Sequence, residues 1–420
     1  MLAVHLARQF RHGSGILRQC ACARTTSTSS SDTPKAPSNE TMHYPPPKPP
    51  MNLMEALQLR IRTMGPMTIS DYMREIATHP FKGYYAKETV FGEQGDFVTS
   101  PEVTQMFGES LGVWIVNEWM KMGEPMPLQI AELGPGRGTL MADIVKTLNQ
   151  LVKPLAPQSS IHLVETAAQM REEERKLLCV DGADETKHGS KVFWHDNIHS
   201  VPEGFTFFIA HEFFDALPVN KFVKVDDTWH EILVDIDEEK DGLKLVKSKN
   251  PTPATKYIDP DETKTEVEIS PQTGLIVQAM CDRIASRGGG ALIVDYGHYG
   301  EKGDTLRGFK THKLHDFLQD PGQADVTADV DFKYVESKCD KDKVLFYGPQ
   351  TQEKFLLQLG MRTRLEMLKE SATTHRDKAN LNKAYGMLLH SDMGTRFKFC
   401  SIFPKTMQEI HAKHPVAGFS

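Results

Sequence analysis

Short apolar runs alternate with stretches of helical spacing along most of the chain beyond Met51. The run Leu128, Ile130, Ala131 and Leu133, then "SIHLVET", "KVFWHDNI", "FTFFIA" and "ALIVDYG", read as five successive strands. "FTFFIA" is continuous and apolar, as a strand covered on both faces should be. Thr139 to Leu148 reads as a helix after the first strand. Ser270 and Pro271 open another, through Leu275, Ile276, Ala279, Met280 and Ile284 to the glycines at 288 to 290. Strand, helix, strand in this order predicts a doubly wound, mostly parallel sheet with its chemistry at the strand C-terminal ends. Upstream, "TISDYMREIATHP" predicts a helix ended by Pro80. A loop up to Asp96 then leads to Ser100 as N-cap, Pro101 at the first helical position, and one apolar face of Val103, Met106, Phe107, Leu111 and Trp114. This loop and helix start stand before the glycine bend, placed to close over it. From Phe222 to Ser248, "FVKV", "WHEILVDI" and "GLKLVKS" alternate like strands and predict a small antiparallel insertion. After Gly300 the pattern thins to a helix at "TQEKFLLQLGM" and a terminal strand at "TRFKFCSIF".

Composition narrows the setting. A net charge of −7 over 420 residues and a pI near 6.2 disfavour a broad phosphate-binding surface, so nucleic acid is not the expected partner. The first thirty residues carry Arg8, Arg11, Arg18 and Arg24, many Ser and Thr, and no acid before Asp32, the make-up of a mitochondrial transit segment. A proline-rich connector follows to residue 50. The expected organisation is therefore transit segment 1–30, linker 31–50, an N-terminal helical region 51–127 closing over the cofactor, core 128–221, antiparallel insertion 222–269, second core part with substrate-recognition elements 270–404, and a tail 405–420. The six cysteines show no metal-ligand or disulfide spacing, and no apolar run is long enough to span a bilayer. A soluble protein of a reducing compartment is expected, of open oligomeric state.

The glycines of "ELGPGRGTL" then suggest a ligand. The Lys and Ser/Thr of a phosphate loop are missing after Gly138, and Gly138 falls four residues after Gly134, where a dinucleotide loop needs five. Glu-x-Gly-x-Gly-x-Gly is instead the pattern of S-adenosylmethionine loops. In that reading Gly134, Gly136 and Gly138 let the backbone approach the methionine part, and the free amides of the next helix suit its carboxylate. Glu165, at the end of the second strand, accepts from the ribose hydroxyls. Asp196, with Asn197 assisting, meets the adenine amino group. A plain connecting turn and solvated strand ends are the alternatives for each feature taken singly.

"HEFFDALP", after the fourth strand, lies where a transferable methyl would sit. An arginine acceptor is always charged, and its lone pairs are delocalised, so carboxylates must fix its plane and localise its charge. Glu212 and Asp215 suit such a clamp. They equally suit the cap of a helix beginning at "FFDALP", facing water. His298 in "DYGH" is a further candidate base.

"GDFVTSPE" with "FGE", then "ELGPGRGTL", "HEFFDALPV", "DYGH", "RGF" and "PGQADVTADVDF", follow one another as in the MidA-like mitochondrial arginine methyltransferases, and the resemblance runs from about Leu53 to Phe403. It implies a class I S-adenosylmethionine-dependent methyltransferase fold with an antiparallel insertion and added substrate-recognition elements. It further implies a mitochondrial matrix location and symmetric dimethylation of an arginine in the core complex I subunit near the quinone site, needed for complex I assembly. On this resemblance Thr99, Ser100 and Glu102 line the donor pocket, Glu132 and the three glycines bind the donor, and Glu212 and Asp215 lie at the acceptor. A non-catalytic assembly chaperone on the same fold is the alternative. A methyltransferase of small molecules or RNA, and an oxidoreductase, fit the charge balance and the glycine spacing less well.

Overall fold

The computed structural model describes residues 52–79, 82–84, 99–152, 158–311, 313–390 and 392–420. The transit segment, the linker and Gly95 to Val98 of the pocket stretch lie outside the described residues.

Among the described residues the central sheet has eight strands, the short strand Val330–Asp331 beside the end of β5 and seven along the main path: β1 (Leu128–Leu133), β2 (Ser159–Val164), β3 (Lys191–His195), β4 (Thr206–His211), β5 (Gly289–His298), β6 (Val344–Thr351) and β7 (Phe397–Pro404). Their order across the sheet is 3-2-1-4-5-7-6. All neighbours run parallel except β7, which is antiparallel to both β5 and β6. The period-two alternation of a strand sends its side chains to opposite faces, and each face has its own core. Ile130, Phe207, Ile209 and Leu292 join Phe107, Trp114 and Ile144 on one side. Ala131, Phe208, Ala210 and Ile293 join Val277, Met280 and Ile284 on the other.

Helices α1 (Gln105–Lys121), α2 (Thr139–Leu151), α3 (Ala168–Leu178) and α4 (Pro271–Arg287) flank the sheet. Gly108 and Gly112 let α1 lie close on α2, since a Cβ at either would meet Asp143 or Thr147. The single helix expected from Ser100 onward is broken. A short turn, Ser100–Val103, is capped by Thr99 rather than Ser100, and Thr104, with an extended backbone, caps α1 through its hydroxyl to the Met106 amide at 3.3 Å. The reason is local: Thr104 leaves the helical region, so the apolar periodicity crosses two elements.

Strands Asn220–Val225, Thr228–Asp237, Gly242–Lys247 and Glu266–Ile269 form an antiparallel sheet, which Met67–Thr68 joins at Val234 and Leu233. The helices Leu53–Met64 and Ile69–Thr78 pack on it through Leu57, Ile61, Tyr72 and Met73. The chain beyond Pro404 is tied down as well, its Ala417 held by Trp114 Nε1 and by Glu118. Of the glycines at 288 to 290, only Gly288 ends α4; the other two begin β5.

Candidate active site

The C-terminal ends of β1 and β4 bring three segments together. The first is the glycine turn. Gly134, Gly136 and Gly138 all have positive φ, 64°, 55° and 81°, a region that side chains seldom occupy. At Gly134 a Cβ would stand 2.8 Å from the ring of Phe213, so the turn and the "HEFF" segment are in contact. Gly138 starts α2 in a left-handed conformation, and no side chain caps that helix. Its first amides are therefore left for a ligand.

Beneath the turn Glu132 is buried, and its Oε2 has no hydrogen-bond partner. Burial, reinforced by Glu174, pushes its carboxyl well above the usual range. Glu174 reaches there from α3, with its Oε2 held by Trp194 Nε1 at 2.7 Å, and burial raises it to about 8. Sequence reading missed Glu174, because "REEERK" looks like a solvated helix face.

At the end of β2, Glu165 accepts the Ala167 amide at 2.7 Å and is raised by burial. Arg171 bonds the Glu165 carbonyl and the Asp196 carboxylate, joining the ends of β2 and β3. Asp196 is largely exposed. Asn197 has its side-chain oxygen taken by the amides of His199 and Ser200. Glu165 and Asp196 are thus brought together, while the Asn197 oxygen is already engaged in the turn.

The second segment is Thr99 to Glu102. The Thr99 carbonyl accepts the amides of Glu102 and Val103. Glu102 lies 3.9 Å from Arg137 of the glycine turn, and the Ser100 amide faces the Glu212 carboxylate and draws its pKa down.

The third segment follows β4, where "HEFFDALP" forms turns and no helix. Glu212 has φ 51°, a left-handed backbone unusual for a side chain of this size. Asp215 is buried and the Glu212 side chain is largely enclosed, 18% exposed, and no helix starts here for either to cap. Glu212 Oε1 and Asp215 Oδ1 have no hydrogen-bond partner. His211, the immediate neighbour of Glu212 at 3.4 Å, is lowered to about 3 by burial and carries no charge at neutral pH. Burial first, then Asp215, raises Glu212 to about 8. Burial raises Asp215 to about 6, against the opposing pull of the Tyr296 hydroxyl.

Behind them stands Asp295 of β5, wholly buried. Its Oδ2 accepts the amides of Phe214 and Asp215 at 3.0 and 3.2 Å, and its Oδ1 that of Tyr296. Tyr296 donates its hydroxyl to Asp215 Oδ2. Arg307 lies over the Tyr296 ring at 5.3 Å and is anchored to Asp329 at 2.6 Å. The motifs "DYGH" and "RGF" were visible in the sequence, but the register that aims Asp295, Tyr296 and Arg307 at this loop was not. His298, the candidate base, accepts the amides of Gly300 and Lys302 through Nδ1 and serves the local turn. Among the described residues no cluster of His, Cys, Asp or Glu has metal-binding geometry.

An open glycine turn over a buried, unpaired carboxyl, a helix start without a side-chain cap, and an acid at the end of β2 fit a sulfonium-bearing nucleoside. With the 3-2-1-4-5-7-6 sheet they define a class I methyltransferase. Known proteins agree. The family described as "Putative S-adenosyl-L-methionine-dependent methyltransferase" matches residues 110–350. The chain is 43% identical over 385 residues to "Protein arginine methyltransferase NDUFAF7, mitochondrial" of Xenopus tropicalis, covering 88% of this chain and 89% of that one. Against the human protein of that name the identity is 42%, covering 86% and 85%. A crystal structure from Burkholderia thailandensis, bound to S-adenosyl-homocysteine, superposes with a TM-score of 0.70 at 25% identity, covering 84% of this chain and 91% of that one. The chain belongs to the family of these mitochondrial protein arginine methyltransferases, and its cofactor is S-adenosylmethionine.

Proposed function

We propose that this chain transfers methyl groups from S-adenosylmethionine to an arginine of a protein substrate in the mitochondrial matrix, symmetrically dimethylating a core complex I subunit near the quinone site and so serving complex I assembly. The names of its relatives support the arginine and the mitochondrion. One observation carries the chemistry: beside the glycine turn Glu212 and Asp215 each keep a buried oxygen without a hydrogen-bond partner. Buried carboxylates in that condition are unstable unless a cation completes them, and a guanidinium supplies charge and paired N–H donors together.

In this reading Glu132, Gly134, Gly136 and Gly138 hold the methionine part of the donor. Glu165 takes the ribose, Asp196 and Asn197 the base, and Thr99, Ser100 and Glu102 cover it. The bound donor supplies an electrophilic methyl with a good leaving group. What remains for the protein is to orient the acceptor nitrogen, localise its charge and exclude water. Glu212 and Asp215 do the first two, and the phenyl ring of Phe213 packs against Gly134 beside them.

The test is incubation of the chain with methyl-labelled donor and the core complex I subunit, followed by mass spectrometry of its arginines. Two methyls, one on each terminal nitrogen of a single arginine, is the expected product. Donor binding with no labelled arginine would leave only an assembly role without transfer.

A further inference from the structure

The two acceptor-side acids differ in what surrounds them. Facing Asp215 are the Tyr296 hydroxyl on Oδ2, the N–H dipoles of Asp215 and Ala216 and the Arg307 guanidinium over the Tyr296 ring, which favour its ionised form, and the Glu212 and Asp295 carboxyls, which oppose it. The Asp295 carboxyl, by accepting the Phe214 and Asp215 amides, fixes the loop that carries it. Arg396 also lies over the Tyr296 ring, at 5.8 Å, and Asp329 binds both Arg307 and Lys302 at 2.6 Å. Facing Glu212 are the Ser100 amide, the uncharged His211, and the negative charges of Asp215, Glu102 and Asp325. Among the described residues no Lys or Arg comes within ion-pair distance of Glu212.

We propose that Tyr296, backed by Arg307, is a positioning residue that keeps Asp215 ionised with Oδ1 free, so that Asp215 rather than Glu212 takes the proton released by the acceptor. The proposal rests on the arginine-transfer reading and assigns roles within it. As the guanidinium nitrogen bonds to the methyl carbon, the carbon–sulfur bond breaks with its electron pair left on sulfur, and one N–H proton passes to Asp215 Oδ1. Glu212 stays protonated until the acceptor arrives, then releases its proton to solvent as its carboxylate pairs with the guanidinium and orients it. Burial raises both acids, Asp215 to about 6 and Glu212 to about 8, so the acid that the Tyr296 hydroxyl bonds is the first of the two to ionise.

The experiment needs no acceptor. With aspartate 13C-labelled at the side-chain carboxyl, and Asp215→Asn to assign its signal, the ionisation of Asp215 is followed by NMR between pH 4 and pH 9 in the full chain. Tyr296→Phe is expected to move the midpoint upward by about 1 to 2 pH units, the loss of one hydrogen bond to a charged group. Arg307→Met should move it upward by less. Tyr299→Phe, whose hydroxyl bonds Glu336 away from the site, should leave it in place. Donor binding by calorimetry establishes that each variant is folded, and Arg307→Met stands in if Tyr296→Phe is not. An unmoved midpoint in folded variants overturns the positioning role even if arginine is methylated. A moved midpoint with no methylated arginine would instead count against the proposed function alone.

Discussion

On the proposed reading the sheet has a donor end and an acceptor end; both carry carboxylates, but their strand-end acids differ in surroundings. At the ends of β2 and β3, the Glu165 carboxylate accepts the Ala167 amide, while Arg171 bonds the Glu165 carbonyl and the Asp196 carboxylate, which faces solvent. Asp196 costs little to keep in water, whereas burial raises Glu165; on the proposed reading the two suit a ligand that offers hydroxyls and an amino group. At the ends of β4 and β5, Glu212, Asp215 and Asp295 are packed together in the interior with a neutral histidine for company. Buried like charges without cations are destabilising, so this end is built for what arrives. On the proposed reading both sites keep an unsatisfied buried oxygen, Glu132 Oε2 under the glycine turn and Glu212 Oε1 and Asp215 Oδ1 after β4, but only the second site faces the charge of the substrate.

Variants at the two ends should therefore fail differently. Gly136→Val places a branched side chain at φ 55° on the donor path, and calorimetry should find donor binding weakened more than about 100-fold. Asp215→Asn should lower methyl transfer by about 10²- to 10⁴-fold while the donor binds within a few-fold of normal. If it also abolished donor binding, the separation of the two ends would be wrong. Glu165→Gln should weaken the donor by about 10- to 100-fold, the loss of one or two charge-assisted bonds.

The unsatisfied acids should also show in stability. The folded pKa of Glu212 lies above its unfolded value, so the protonated acid favours the fold. Its contribution is intact below about pH 4.5 and is lost as pH rises through about 8. Glu212→Gln should accordingly raise Tm at pH 8 relative to wild type by about 2–5 °C, and by less at pH 5, in paired calorimetric scans. The smallest effect is expected at Asp196→Ala, a change of about 2- to 5-fold in donor affinity, because an exposed carboxylate competes with water.

Much of the donor end was legible in the sequence, for a physical reason. Its turn needs glycines at positive φ, which leaves a spacing that can be read, and its acids stand directly after short strands. The acceptor end was only half legible. "HEFFDALP" offers acids three apart, as a helix cap would, and only the left-handed backbone at Glu212 and the enclosure of both side chains decide between cap and clamp. Asp295, Tyr296 and Arg307 reach the site through the register of β5 beside β4 and through a strand packed at long range, which no local pattern encodes. Glu174 was hidden in a run of charges, only one of which turns inward. Thr104 interrupts a helix whose apolar spacing continues across the break.

Mass spectrometry of one purified core complex I subunit, after incubation with labelled donor and either the native chain or Glu212→Gln with proven donor binding, puts the two-ended design to trial. A dimethylated arginine from the native chain and none from the variant is the result expected. Equal labelling by both, or none from a native chain that binds its donor, would contradict an acceptor clamp built from these buried acids.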